Sequence, residues 1–334
     1  MKRAWTLAFL FAITALSSSP AALDPTAVRA AAAYSAGHRG ASLLILQNGK
    51  TLYASSADKP GRIYSGTKAF WCLGALAAVD DGVLDLDERV AETIPAWRKD
   101  PRKAQVTIRQ LLDFSCGLAP GFRLHADDPG DRDAIAIGLP IVAAPGSAFI
   151  YGPSPLQVFH AVLKAKLRGK APRQYLERRV LRRLGLGRER YLQDRAGNPL
   201  LASGWILSAR QWAKLGQLVL RKGAPVVSAE TLAQSWRGSP PNRAYSLGWW
   251  NNRAAPGGRE FDFESMLTPQ WPQEDWSRAC ICRDAPSDLV MCVGSLYQRL
   301  YVVPSLDLIV VRHGRGGSFS DGRFLRLLLL GRDR

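Results

Sequence analysis

Tyr64-Ser65-Gly66-Thr67-Lys68-Ala69-Phe70-Trp71-Cys72-Leu73-Gly74-Ala75-Leu76-Ala77-Ala78-Val79-Asp80-Asp81-Gly82 begins as a polar turn, becomes a mostly apolar run, and stops at two acids and a glycine. Residues 67–79 read as a helix with too few polar positions to face water, and Gly82 supplies the left-handed residue that follows a helix end. Serine is a weak nucleophile until a neighbouring base takes its proton. Ser65 and Lys68, three positions apart at the start of such a helix, share one face, which brings the amine beside the hydroxyl. The free N–H groups and positive potential of a helix N-terminus suit a developing oxyanion. Burial beside that positive end also lowers a lysine pKa toward the range of a base. The same stretch equally fits a serine that merely caps the helix, followed by a solvated first-turn lysine.

Outward from this segment, Ser56-Ala57-Asp58-Lys59 repeats the serine–lysine spacing but runs into Pro60-Gly61, a turn that holds no two side chains together, so Ser56 is expected at the surface. Residues 41–55 alternate around Asn48-Gly49, a two-residue hairpin signal, and the mature chain is expected to open with this hairpin. Helical patterns follow at 107–114, 156–167, 173–184 and 209–221. Residues 251–278 break the rhythm with Pro256, Gly257, Gly258, Pro269, Pro272, several acids and the aromatics Phe261, Phe263, Trp271 and Trp276, a long loop suited to wall a substrate site. Three β-rich runs, 289–293, 299–303 and 306–311, precede a closing helix at 319–330. The pattern predicts an α/β (α+β) fold: one antiparallel sheet built from both chain ends, about 22–64 and 243–334, with a helical part, about 65–242, inserted in a single catalytic domain spanning 22–334.

Lys2 and Arg3 precede an apolar run and then small residues, the pattern of a secretory signal peptide over residues 1–21. The apolar core is shorter than a membrane span, and the first cysteine is Cys72, which closes the lipoprotein route; retention as an uncleaved anchor is the alternative. A periplasmic or secreted protein, not an integral membrane protein, is expected. The net charge of +17 reads as a solvated basic surface, with attraction to an anionic envelope surface as the sharper alternative. Export and the absence of any nucleic-acid motif argue against nucleic acid as a partner. Five cysteines in an oxidising compartment leave at least one unpaired or paired between chains. Cys280 and Cys282 lack a clustered histidine partner, so no metal and no other cofactor is expected.

Tyr64-Ser65-Gly66-Thr67-Lys68-Ala69-Phe70, followed by Asp81-Gly82-Val83-Leu84-Asp85-Leu86-Asp87, resembles the nucleophile helix of the β-lactamase and penicillin-binding-protein superfamily, especially its class C-like and esterase branches. Pro145-Gly146 leading to Phe149-Ile150-Tyr151-Gly152-Pro153-Ser154 is similar to the family's tyrosine motif, at a similar separation from the serine. Thr107-Ile108-Arg109-Gln110-Leu111-Leu112 with Gly117-Leu118 resembles the helix that leads into the family's cleft, and residues 298–308 resemble its closing strands. The resemblance covers most of the mature chain, in order. It implies acyl transfer with Ser65 as nucleophile, Lys68 and Tyr151 as proton-transfer groups, the Tyr151 phenol acidified by the nearby lysine, and the backbone amides of Ser65 and Ser295 as the oxyanion hole.

Two departures bear on substrate. The family's Lys-Thr-Gly or His-Gly type triplet is replaced by Cys292-Val293-Gly294, and the asparagine that often follows the tyrosine is replaced by Gly152-Pro153. Both weaken the case for a β-lactamase or D,D-peptidase and favour an esterase or amide hydrolase of the 6-aminohexanoate-dimer hydrolase-like branch, acting on a small-molecule or peptide-like ester or amide. A catalytically degenerate envelope- or peptidoglycan-binding protein on the same fold is the alternative. No Gly-x-Ser-x-Gly elbow and no phosphate or dinucleotide loop occurs. His313 is expected in a loop after the last strand, and Cys72 and Cys116 are expected to pack as small apolar side chains.

Overall fold

The computed structural model describes residues 21–264 and 274–333, so residues 1–20 of the signal peptide expected over 1–21, and Pro269, Trp271 and Pro272 of the aromatic loop, lie outside the described residues. The described chain opens with a helix, Pro25–Gly37, rather than with the hairpin. Asp24 caps it by accepting from Thr26 N at 2.8 Å, and Pro25 occupies its first turn, where a missing N–H costs nothing. Its alanines gave the sequence too little polar–apolar contrast to reveal it.

Seven strands form one sheet: β1 (Gly40–Gln47), β2 (Lys50–Ser55), β3 (Tyr245–Ser246), β4 (Trp249–Asn251), β5 (Val290–Gly294), β6 (Gln298–Val303) and β7 (Leu308–Gly314), in the order β2-β1-β7-β6-β5-β4-β3. All pairings are antiparallel, and the long-range β1–β7 pairing joins the two chain ends. Asn48 and Gly49, at φ 50° and 70°, make the tight turn between β1 and β2. β6 and β7 are buried along their whole length because both sheet faces are covered, which is why residues 300–303 and 308–311 read as continuous apolar runs.

One face carries the Ala209–Leu220 helix, so close that a Cβ on Gly216 would lie 2.9 Å from Ile309. The other carries the Pro25–Gly37 and Asp321–Leu330 helices, tied to the sheet by two buried arginines. Arg299 Nε donates to Asp321 Oδ1 at 2.8 Å, and Arg312 donates to Tyr297 O at 2.9 Å and His38 O at 2.6 Å. Arg299 thus meets a carboxylate that offsets its desolvation, whereas Arg312 meets carbonyls and the Ser35 hydroxyl, and burial lowers its pKa to about 10. His313 lies inside β7 and is buried against Trp212; the strand runs further than the apolar alternation alone suggested, because a histidine can be covered from the helix side. The 173–184 pattern forms a helix, Pro172–Leu176, that widens into a π turn over Glu177–Leu181. All five cysteines are buried free thiols.

Candidate active site

Ser65 sits in a 3-10 turn, Tyr64–Gly66, that feeds the helix Thr67–Asp80. Tyr64 holds a left-handed φ of 45°, a strained conformation for a residue with a side chain, and this sharp entry delivers Ser65 at the end of β5. The approach is tight on two sides. A Cβ on Gly294 would lie 2.1 Å from Ile63 O, and one on Gly248, in the β3–β4 turn, 2.9 Å from Ala69 N, so glycine is required at both positions.

Lys68 Nζ is 2.7 Å from Ser65 Oγ and donates to Ala202 O at 2.9 Å. Lys68 is only 3% exposed, and no carboxylate among the described residues pairs with it. Burial lowers its pKa from 10.5 to about 7, against a small opposing effect of Cys72. The Tyr151 hydroxyl is hydrogen-bonded to Ser65, and Lys68 Nζ lies 4.7 Å from the centre of the Tyr151 ring. Tyr151, distant in sequence, therefore meets the neighbouring pair Ser65 and Lys68. The expected acidification of Tyr151 is not found: burial pushes its phenol up, the Ser65 hydrogen bond only partly offsets this, and a lysine that deprotonates near neutrality supplies little charge. Tyr151 is packed by Phe114 and Tyr245, and Gly152 lets the chain pass Pro120, whose carbonyl would be 2.3 Å from a Cβ.

A small cavity of about 10 Å³ joins Ser65 and Tyr151 to Ser295, with Val293, Trp250, Phe263 and Glu264 as its remaining walls. Of the Cys292-Val293-Gly294 triplet, Val293 faces the cavity; Cys292 is fully buried on the side of Cys72, and Gly294 provides clearance. Among the described residues the lining has no lysine or arginine. The aromatic loop does wall the site, through Phe263 and Glu264, while Phe261 and Trp276 stack on each other behind it.

Glu264 had escaped sequence reasoning. Its carboxylate accepts from Leu296 N (3.0 Å), Tyr297 N (2.9 Å) and Arg299 Nη1 (3.2 Å). Leu296 and Tyr297 both have left-handed φ angles, 64° and 60°, so the carboxylate clasps the strained turn that directly follows Ser295. Asp113 was missed as well. Buried under the site, it accepts from Ser246 Oγ (2.8 Å) and Leu247 N (3.2 Å) and so fixes the turn that packs on the Thr67–Asp80 helix. The only sequence signal for either was an acid placed among aromatic or apolar neighbours. Ser56 is exposed in a turn closed by Lys59 N to Ser56 O, away from this chemistry. Glu260, Cys282 and Asp284 bring three potential metal-ligand atoms within 4.8 Å, but Arg326 donates to both carboxylates and supplies the positive charge there.

Residues 27–271 match the family described as Beta-lactamase. Acyltransferase calJ of Penicillium decumbens is 28% identical over 152 residues, which is 37% of this chain but only 36% of that protein's length. A class C beta lactamase from Rhodobacter sphaeroides superposes with a TM-score of 0.65 at 16% identity, covering 92% of this chain and 99% of its own. EstCE1, a hydrolase with promiscuous acyltransferase activity, gives a TM-score of 0.65 at 18% identity, covering 91% and 97%. At these identities the structural likeness concerns the fold.

Proposed function

Because the chain belongs to the beta-lactamase family, we propose that it is an exported serine hydrolase that cleaves an ester or amide through an acyl-enzyme on Ser65. The observation that carries this reading is the 2.7 Å contact between Ser65 Oγ and a buried Lys68 whose pKa is lowered to about 7. In its neutral form the amine takes the serine proton as Oγ attacks the carbonyl carbon. The amides of Ser65 and Ser295 hold the oxyanion, and Tyr151, neutral and bonded to Ser65, gives its proton to the departing alcohol or amine and regains one from the Lys68 ammonium. Water then adds to the acyl carbonyl, and the same groups return the proton to Ser65.

The walls argue for the kind of substrate. Trp250, Phe263 and Val293 favour a small apolar acyl group, and Glu264 repels a carboxylate placed beside the scissile bond. A substrate without that carboxylate fits better than a β-lactam. Export rests on the basic, apolar and small-residue order of the first residues.

Intact-mass analysis after exposure to a fluorophosphonate and, separately, to a penicillin tests the reading. One fluorophosphonate adduct is expected, mapped to Ser65 and missing from Ser65→Ala, with little penicillin capture. Absence of labelling in both proteins overturns the hydrolase reading and leaves the envelope-binding protein on this fold.

A further inference from the structure

A second cleft, of about 320 Å³, adjoins the nucleophile turn at Tyr64 and the Ser295 turn at Leu296. Three cations line it, Lys59, Arg62 and Arg315, and no acidic residue does. All three are exposed, and their side chains make no ion pair or hydrogen bond with a described residue. Asp58, the acid next in sequence to Lys59, is already taken by Arg210 at 3.1 Å. Like charges brought to one concave wall repel each other and concentrate anions.

The wall also holds polar groups without partners. Ser42 and His313 are each 4% exposed, and neither Ser42 Oγ nor His313 Nε2 has a hydrogen-bond partner. Gly61 allows the chain to run against the imidazole, since a Cβ there would lie 2.7 Å from His313 Nδ1. Two guanidinium groups present planar pairs of donors that match phosphate oxygens, and a lysine adds a point charge.

We propose that this cleft is a binding site for a phosphate group, formed by Lys59, Arg62 and Arg315. Three unopposed charges suit a dianion better than a single carboxylate. The space admits a headgroup-sized ligand, whether the phosphate belongs to a soluble ester or to an anionic lipid. The site lies beside the Ser65 chemistry but does not depend on it.

Calorimetric titration of the full protein with inorganic phosphate, at ionic strength held constant with chloride, should give one saturable site. Arg62→Gln combined with Arg315→Gln should weaken it roughly tenfold or more. Ser65→Ala should bind phosphate as the unaltered protein does, which separates this result from any failure of the hydrolase reading. Displacement of phosphate by glycerol phosphate identifies a soluble ester, whereas capture by phosphatidylglycerol but not phosphatidylcholine vesicles, lost in the double variant, identifies a lipid headgroup. Arg188→Gln with Arg243→Gln, exposed and outside the cleft, is the control. Equal weakening by the control pair, or no saturable phosphate binding, overturns the proposal.

Discussion

Acylation of Ser65 should switch on as the pH rises through about 7, with the slope of a single deprotonation and a plateau above it, because Lys68 must be neutral to take the serine proton. The drop from 10.5 to about 7 corresponds to about 5 kcal/mol against the charged form. The assay is the second-order rate of fluorophosphonate labelling across the pH range, read by mass. Lys68→Arg, which cannot deprotonate, should lower the plateau by about a hundredfold or more. The same shift makes a stability prediction. Unfolded, Lys68 keeps its proton up to 10.5; folded, only up to about 7. Between these values the unfolded chain holds the extra proton, so stability rises with pH across the window, and at pH 7 and below the folded protein bears the whole cost. Lys68→Met removes that cost and forfeits the bonds to Ser65 and Ala202, worth about 1 kcal/mol each, leaving a net gain of about 3 kcal/mol at neutral pH. A labelling rate that keeps climbing toward pH 10, or a methionine variant less stable than the parent at neutral pH, would refute a buried, depressed lysine.

Two further substitutions probe the groups that hold the site in shape. Glu264→Gln keeps the volume but places an amide NH2 or loses an acceptor where Leu296 and Tyr297 donate; fluorophosphonate labelling should slow roughly tenfold, less than the loss of a whole oxyanion donor. Unchanged kinetics would show that the turn after Ser295 holds itself. Asp113 has its pKa raised from 3.8 to about 7, chiefly by burial, with the Ser246 and Leu247 hydrogen bonds opposing. Between those values the folded state holds the extra proton, so Asp113 costs stability as the pH rises through the window. Asn keeps an acceptor for both donors, so Asp113→Asn should unfold at higher urea than the parent at pH 8 and at an equal concentration near pH 4, a difference of a few kcal/mol appearing between them. A variant less stable at pH 8 would mean that the charge is needed.

Much of the frame was legible because its signals are local. Asn48-Gly49 forms the hairpin turn, Gly82 with φ 67° follows the Thr67–Asp80 helix, and Ser65 and Lys68 meet across the 3-10 turn that enters it. The Pro25–Gly37 helix was not legible, because an alanine-rich segment has the same low contrast on every side. His313 was misplaced because a polar residue inside a fully buried strand breaks the pattern by which a strand is recognised.

The sequence by itself determined the candidate groups: a serine with a lysine three positions on, a tyrosine after a Pro-Gly turn, and a strand triplet with no basic residue. Only the tertiary structure decided their ionisation and surroundings. Lys68 titrates near 7 because the core around it excludes water, Tyr151 stays protonated for the same reason, and Glu264 reaches the turn after Ser295 across a separation that no periodicity encodes. A pKa and a long-range hydrogen bond are properties of packed volume, which a one-dimensional pattern constrains but does not contain.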